Sequence, residues 1–411
     1  MMDRNYRVLL PLFISISLLM LGSGALTTLI GLSMAKAGFS ARIAGLVMSS
    51  YFLGLVVGPF VIHRLISDVG HIRSFAALAS LCSAAALAHP YFVDPWFWGA
   101  LRFVQGFTIV GLYMCTESWL NEKTSNSVRG QVFAIYHTVV YLFQGGAQFM
   151  LNLPDSTGTG LFVLISVVMS LAIIPIAASK VDAPTMPQPV RLNMKKLYAI
   201  SQTGMWGAFT AGIVLGGIYG LGPFFAKQIG LDIAATTRFM GAVIVGGLFL
   251  QWPLGKLSDI MDRRQVILMI LLASGGISMA LVYYAEGGGW VLYGLGALFG
   301  GVAFTLYPIS VAYTNDYTDP DDLVAVSAGL LVAYGVGSTL GPLGASLAME
   351  WLGAVGLFYY LTAAVLMTAG FTVWRMAQRD TVAVEDQGDF QPVPRTSPIA
   401  SELDPRWEED V

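Results

Sequence analysis

Gln251-Trp252-Pro253-Leu254-Gly255-Lys256-Leu257-Ser258-Asp259-Ile260-Met261-Asp262-Arg263-Arg264 lies between two apolar runs, Met240 to Leu250 and Val266 to Leu272. A helix in hydrocarbon satisfies its own backbone, but it cannot keep a cluster of carboxylates and guanidinium groups in lipid. The stretch therefore reads as a tight turn at a water-facing edge, joining two membrane-spanning helices. Its two arginines favour the cytoplasmic side. Gly255 and Ser258 are small enough to let helices approach closely, and Asp259 is placed to bridge neighbouring helix ends through charge-assisted hydrogen bonds.

The composition agrees with a membrane chain. Hydrophobic residues make up 55% and charged residues only 11%, with a mean hydropathy of +0.68, which excludes an ordinary soluble globular protein. The formal charge of −3 conceals a segregation: nine acidic and two basic residues follow from Asp380 onward, so the rest carries a net +4. Cys82 and Cys115 both sit in apolar runs, which supports neither a disulfide framework nor a metal site. No cofactor motif and no nucleic-acid partner is indicated. The first apolar run continues past Ile30 without a small-residue cleavage pattern and reads as a retained helix.

Working outward, spans of roughly 20 apolar residues cross a bilayer. Twelve are expected, near 8–34, 42–66, 73–92, 96–119, 130–153, 160–179, 197–226, 236–256, 265–285, 289–315, 323–349 and 353–376. With both ends inside, seventeen Lys and Arg fall on the cytoplasmic side, four (Lys36, Arg42, Lys227, Arg238) on the outer side and Arg102 within a span. That bias predicts a multi-pass membrane protein with both termini cytoplasmic. Residues 180–196, with three prolines and four basic residues, read as a cytoplasmic linker between bundles 1–179 and 197–379. The acidic, proline-bearing segment 380–411 reads as a disordered tail.

An internal echo supports the two-bundle division. Gly38 and Gly230 are 192 positions apart in similar turns, and the same offset lays Leu65 on Leu257. Leu112-Tyr113 matches Leu306-Tyr307 at an offset of 194, as does Asn121-Glu122-x-Thr124 with Asn315-Asp316-x-Thr318. Two similar six-helix halves form a parallel repeat.

The pattern Gly255-x-Leu257-Ser258-Asp259-x-x-x-Arg263-Arg264 resembles the loop signature of the major facilitator superfamily, here in its second copy. Ile260 stands where that family has a basic residue, and Asp262 where it has glycine. The first copy, His63-Arg64-Leu65-Ile66-Ser67-Asp68-Val69-Gly70-His71-Ile72-Arg73, is degenerate: Ser67 takes the aspartate position, with Asp68 adjacent as a substitute. The resemblance so implies gating-loop residues Gly255, Asp259, Arg263, Arg264, Asp68 and Arg73. Arg102-Phe103-Val104-Gln105-Gly106 is similar to the family's fourth-helix signature. The resemblance to a little-characterised bacterial subgroup implies an all-α membrane protein. Its twelve helices would form two pseudo-twofold-related bundles, with the first, fourth, seventh and tenth around a central route. It also associates the fourth-helix arginine with proton coupling or anionic substrate groups.

The candidate binding and coupling residues are polar groups at span depth. Arg102 cannot shed its proton and needs a partner or a water-filled cavity. Its repeat equivalent is Gly296, so the charge belongs to one half only. Gln105 and Tyr113 share its stripe. Glu117 lies roughly 22 Å farther along the same helix at ~1.5 Å per residue, too far for a direct pair. His137, Tyr141, Gln144 and Gln148 recur on one face of the fifth helix. That face lines either a cavity or an interhelical contact, and a Glu117–His137 proton pair is one expectation. Tyr219 and Tyr307 offer hydroxyls from the seventh and tenth helices. The reading is a monomeric, non-enzymatic secondary transporter for a small organic solute, anionic or zwitterionic if Arg102 meets it, coupled to protons. Its alternative is a transporter-shaped sensor or scaffold acting through the tail.

Overall fold

The computed structural model describes residues 2–155, 158–179, 184, 194–319, 322–391, 393 and 395–397, without the side chains of 2–8, 126, 127 and 286. Twelve helical spans follow one another. They are α1 (Met2–Lys36), α2 (Ala41–Val69), α3 (His71–Ala88), α4 (Pro95–Glu122), α5 (Asn126–Gly146) and α6 (Gly160–Ala177). The second six are α7 (Gln202–Gln228), α8 (Ile233–Ile260), α9 (Arg263–Tyr284), α10 (Gly289–Asn315), α11 (Leu323–Leu352) and α12 (Gly356–Met376). Ten of them are long and apolar enough to cross a bilayer. The other two are α4 and α5, diluted by Arg102, Gln105 and Glu117 in one and by His137 and Gln144 in the other. Polarity at span depth thus sets these two helices apart.

The sequence echo is a structural repeat, seen in caps and in helix contacts alike. Ser40 caps α2 by accepting from the backbone of Ile43 at 3.3 Å, and Asp232 caps α8 by accepting from Ala235 at 2.6 Å. Each cap follows a glycine in the left-handed region, Gly38 at φ 76° and Gly230 at φ 85°. Between helices, a methyl group at Gly54 would overlap the carbonyl oxygen of Phe103, and one at Gly106 that of Tyr51. Shifted by the two offsets, Gly246 meets the Ala297 carbonyl and Gly300 that of Val243 in the same way. Gly24 against the Gln144 carbonyl repeats as Gly216 against that of Ser338. So the α2–α4 and α1–α5 contacts recur as α8–α10 and α7–α11. In lipid, where apolar side chains gain little by leaving their solvent, such backbone-on-backbone packing is what joins helices.

The α10 helix is interrupted. Pro308 lacks an N–H, so the carbonyl of Phe304 loses its helical partner, and the chain turns at Phe304 and Thr305. The α5 helix likewise ends in a tighter turn of helix, Ala147–Asn152.

Of the expected linker, residues 180–183 and 185–193 lie outside the described residues. A short helix, Met194–Ile200, precedes α7. Of the tail, residues 380–391, 393 and 395–397 return from the end of α12 and enter the space between the bundles, with Phe390 and Val393 packed on the core. Composition suggested disorder because Glu385, Asp386 and Asp389 dominate it, and these remain exposed. The few apolar and basic side chains find their partners only in the folded bundle. Residues 398–411 lie outside the described residues.

Gly106→Ala and Gly300→Ala are each expected to cost about 1–3 kcal/mol, because neither carbonyl can retreat without moving a helix. Gly146→Ala and Gly276→Ala, where the added methyl meets nothing, should be neutral or slightly stabilising. Thermal unfolding in detergent separates the two pairs.

Candidate functional site

A cavity of about 390 Å³ lies between the two halves. Its walls come from α2, α4 and α5 on one side and from α7 and α11 on the other. Away from the tail it is closed. Gly45 of α2 lies so close to α11 that a methyl there would overlap Ser346, and Gly31 of α1 packs on Pro223 of α7. Asn152 donates to Thr237 across the α5–α8 boundary at 3.2 Å. Toward the tail face, Pro59 and His63 of α2 and Val324 and Ala328 of α11 stand on opposite walls of the cavity. That end is where the tail enters.

The opening sequence stretch holds the tail. Arg263, fully buried, forms an ion pair with Asp316 at 2.5 Å and a looser one with Asp259 at 3.4 Å. It also donates to the Ala312 carbonyl at 3.1 Å and to the Gly388 carbonyl of the tail. The two carboxylates accept from the tail backbone in turn: Asp259 from Phe390 at 2.7 Å and Asp316 from Gly388 at 3.2 Å. Gly255 has no side chain because the Phe390 ring occupies that space. Arg264 pairs with Asp262 at 2.8 Å and donates to the Arg379 carbonyl at 2.6 Å. Burial pushes the Asp262 carboxyl up, but hydrogen bonds from Arg264 outweigh it and hold it below the usual carboxylate range. In the first copy of the signature, Asp68 and Arg73 are exposed and make no ion pair among the described residues. The two loops are therefore not equivalent.

Deeper in, the tail meets the cavity wall. The Arg395 guanidinium lies 5.2 Å from the Phe304 ring centroid, 5.7 Å from Tyr141 and 5.9 Å from Tyr334. It donates to the Tyr141 hydroxyl and, at 3.4 Å, to the Phe304 carbonyl that Pro308 leaves free. Glu117, completely buried, accepts from Tyr136 at 2.8 Å and from the hydroxyls of Thr396 and Ser397. Among the described residues it has no cationic partner.

The candidate residues divide accordingly. Tyr113, His137, Tyr141, Gln144 and Tyr219 line the cavity. Tyr113 donates to Met20 sulfur at 2.9 Å, and the Tyr219 ring stacks on Phe304 at 5.6 Å. His137 and Glu117 are not paired: His137 shares a hydrogen bond with Gln251 at 3.0 Å, and the neighbouring Tyr136 takes the carboxylate. Gln148 ties α5 to α1, accepting from Thr28 at 2.8 Å. Tyr307 is buried against Tyr334, off the cavity. Arg102 is buried, not pointing to the outer phase. It stacks 4.2 Å from the Tyr51 ring and donates to Gln105 at 2.9 Å, while its Nε and second terminal nitrogen have no hydrogen-bond partner among the described residues. Tyr51 lines the cavity and Arg102 stands behind it. Sequence reasoning missed Tyr51, Tyr136 and Tyr334, which sit in apolar runs like packing residues, and it missed the tail altogether.

This architecture defines a membrane transporter. The chain belongs to the Major Facilitator Superfamily, whose family model matches residues 12–307. Among its relatives are uncharacterised MFS-type transporters. YcaD of Escherichia coli is 30% identical over 355 residues, covering 83% of this chain and 88% of the relative. YE1530 of Yersinia enterocolitica is 29% identical over 357 residues, covering 85% and 91%. The fold is shared with the solved nucleoside transporter NupG, at 13% identity and a TM-score of 0.74 over 91% of this chain and 100% of that one. It is also shared with a D-xylose-proton symporter, at 14% identity and 0.67 over 89% and 97%.

Arg263→Ala should cost about 3–5 kcal/mol, because it strands buried Asp316 without its cation. The double variant Arg263→Met, Asp316→Leu should lose much less. Thermal unfolding of the three proteins in one detergent checks the order.

Proposed function

We propose that this chain is a secondary active transporter that carries a small organic solute across the bacterial inner membrane by alternating access, coupled to protons. The observation that supports it most is the cavity itself. It is walled by helices of both halves, sealed by close helix contacts at one face and bounded at the other by helix ends that stand apart. Rocking one bundle on the other would reverse those two conditions around a fixed site. The rocking bodies are taken as 1–179 and 197–379, tethered by 180–196. The bias of Lys and Arg puts the tail face in the cytoplasm. One chain encloses the whole cavity, so a monomer suffices.

Glu117 is the proposed proton carrier, being a buried carboxylate that meets hydroxyls and, among the described residues, no cation. Arg102 is proposed as the fixed charge that sets the potential behind Tyr51. Because it does not line the cavity, the case for a purely anionic solute weakens.

Alternating access is testable without knowing the solute. Spin labels at Arg64→Cys and Ala325→Cys report the α2–α11 separation at the tail face, and the native cysteines are buried. Two distance populations, redistributed by pH or by a ligand from a thermal-shift screen, are expected. A single distance under every condition would reject the model. In proteoliposomes, Glu117→Gln should lower accumulation driven by a pH gradient about ten- to hundredfold while solute exchange persists. Arg102→Ala should abolish coupled flux in a protein that still inserts; normal flux would remove its assigned role.

A further inference from the structure

We propose that the aromatic cage around Arg395 is a subsite for an organic cation of the guanidinium type, and that the tail occupies it as a tethered competitor of the solute. The proposal rests on reading the cavity as the transport route. It deepens that reading by naming the charge class of the ligand.

The cage is built for a cation and not for an ion pair. Its three rings come from α5, α10 and α11, hence from both bundles, and present their faces to the guanidinium between 5.2 and 5.9 Å. Ring faces attract cations by their quadrupole, most strongly where water is absent. The polar partners are neutral acceptors, the Tyr141 hydroxyl and the Phe304 carbonyl. That carbonyl is available because Pro308 cannot donate to it. Beside the cage, Glu117 accepts the hydroxyls of the next two tail residues. A matching solute therefore carries a delocalised cation and, one short step away, a hydroxyl or amine donor.

The tail is anchored on both sides of the mouth. Asp259, Asp316 and Arg263 grip its backbone at Gly388 and Phe390, and the Phe390 ring fills the space that Gly255 leaves. Farther along, Arg395 and Thr396 contact α4 and α5 of the first half as well as α10 and α11 of the second. A segment that bridges both bundles opposes their rocking, so it has to leave before the cavity can change face. A tethered ligand competes at an effective concentration on the order of millimolar. A site closed in nine molecules of ten weakens apparent affinity about tenfold.

The test uses the full-length protein in detergent, with phenylguanidinium as the probe and isothermal titration as the readout. Arg395→Ala should bind phenylguanidinium roughly tenfold tighter than the unaltered protein. Adding Tyr334→Ala to it should remove that gain. Benzoate should show no such difference. On the unaltered chain, saturating phenylguanidinium should speed trypsin cleavage after Arg395, because the probe displaces the tail. Equal affinity in Arg395→Ala and the unaltered protein would overturn the proposal, and so would a gain that survives Tyr334→Ala. These measurements need no flux, so a protein that binds the probe as expected but moves no solute would reject the transport reading and leave the subsite standing.

Discussion

Backbone packed on backbone, with glycine as the only residue that permits it, is the constraint on which this architecture depends. Lipid offers no hydrophobic incentive for helices to associate, so close van der Waals approach has to supply the attraction. Gly54, Gly106 and Gly24 bring α2 against α4 and α1 against α5, and Gly246, Gly300 and Gly216 do the same in the second half. The offsets that align these glycines also align the carbonyls they approach. Duplication is therefore a property of the contacts and not only of the letters. Glycine also lets the halves meet closely, at Gly45 against Ser346 and Gly31 against Pro223, and the cavity lies where they part.

Where the halves differ, the buried charges concentrate. The second copy of the loop signature is a complete charge cluster, with Arg263 between Asp259 and Asp316. Arg263 and Asp316 can be buried there because each is paired and hydrogen-bonded, in part by the tail backbone, with Asp259 at the edge. The first copy, with Asp68 and Arg73 exposed, has no comparable cluster. Conversely, the buried charges at span depth, Arg102 and Glu117, belong to α4 of the first half alone. The first half carries the buried charges of α4, and the second carries the charge cluster that grips the tail backbone.

Interruptions in regular helix do part of the chemistry. Pro308 removes one backbone donor, and the carbonyl of Phe304 it leaves behind accepts from Arg395 of the tail. A Pro in a spanning helix is tolerable only where another group satisfies the freed carbonyl, and here the tail guanidinium supplies it. Local sequence, helix geometry and ligand chemistry meet at this one residue.

The chain by itself determined the twelve spans, the repeat and the water-facing turn at Gln251–Arg264. Hydrocarbon thickness, backbone satisfaction and charge placement act locally and leave periodic marks. It also made Arg102, Glu117 and the α5 stripe legible as polar groups that lipid would not tolerate. It did not show that His137 pairs with Gln251, that Tyr136 and not His137 meets Glu117, or that Arg102 lies behind Tyr51. Nor did it foresee that an acidic, proline-bearing tail enters the cavity. Those outcomes join residues from 19 positions apart, as with Tyr136 and Glu117, to 254, as with Arg395 and Tyr141. Only the folded bundle brings such groups within hydrogen-bond reach, and composition averaged along a segment cannot report a partner that lies elsewhere in the chain.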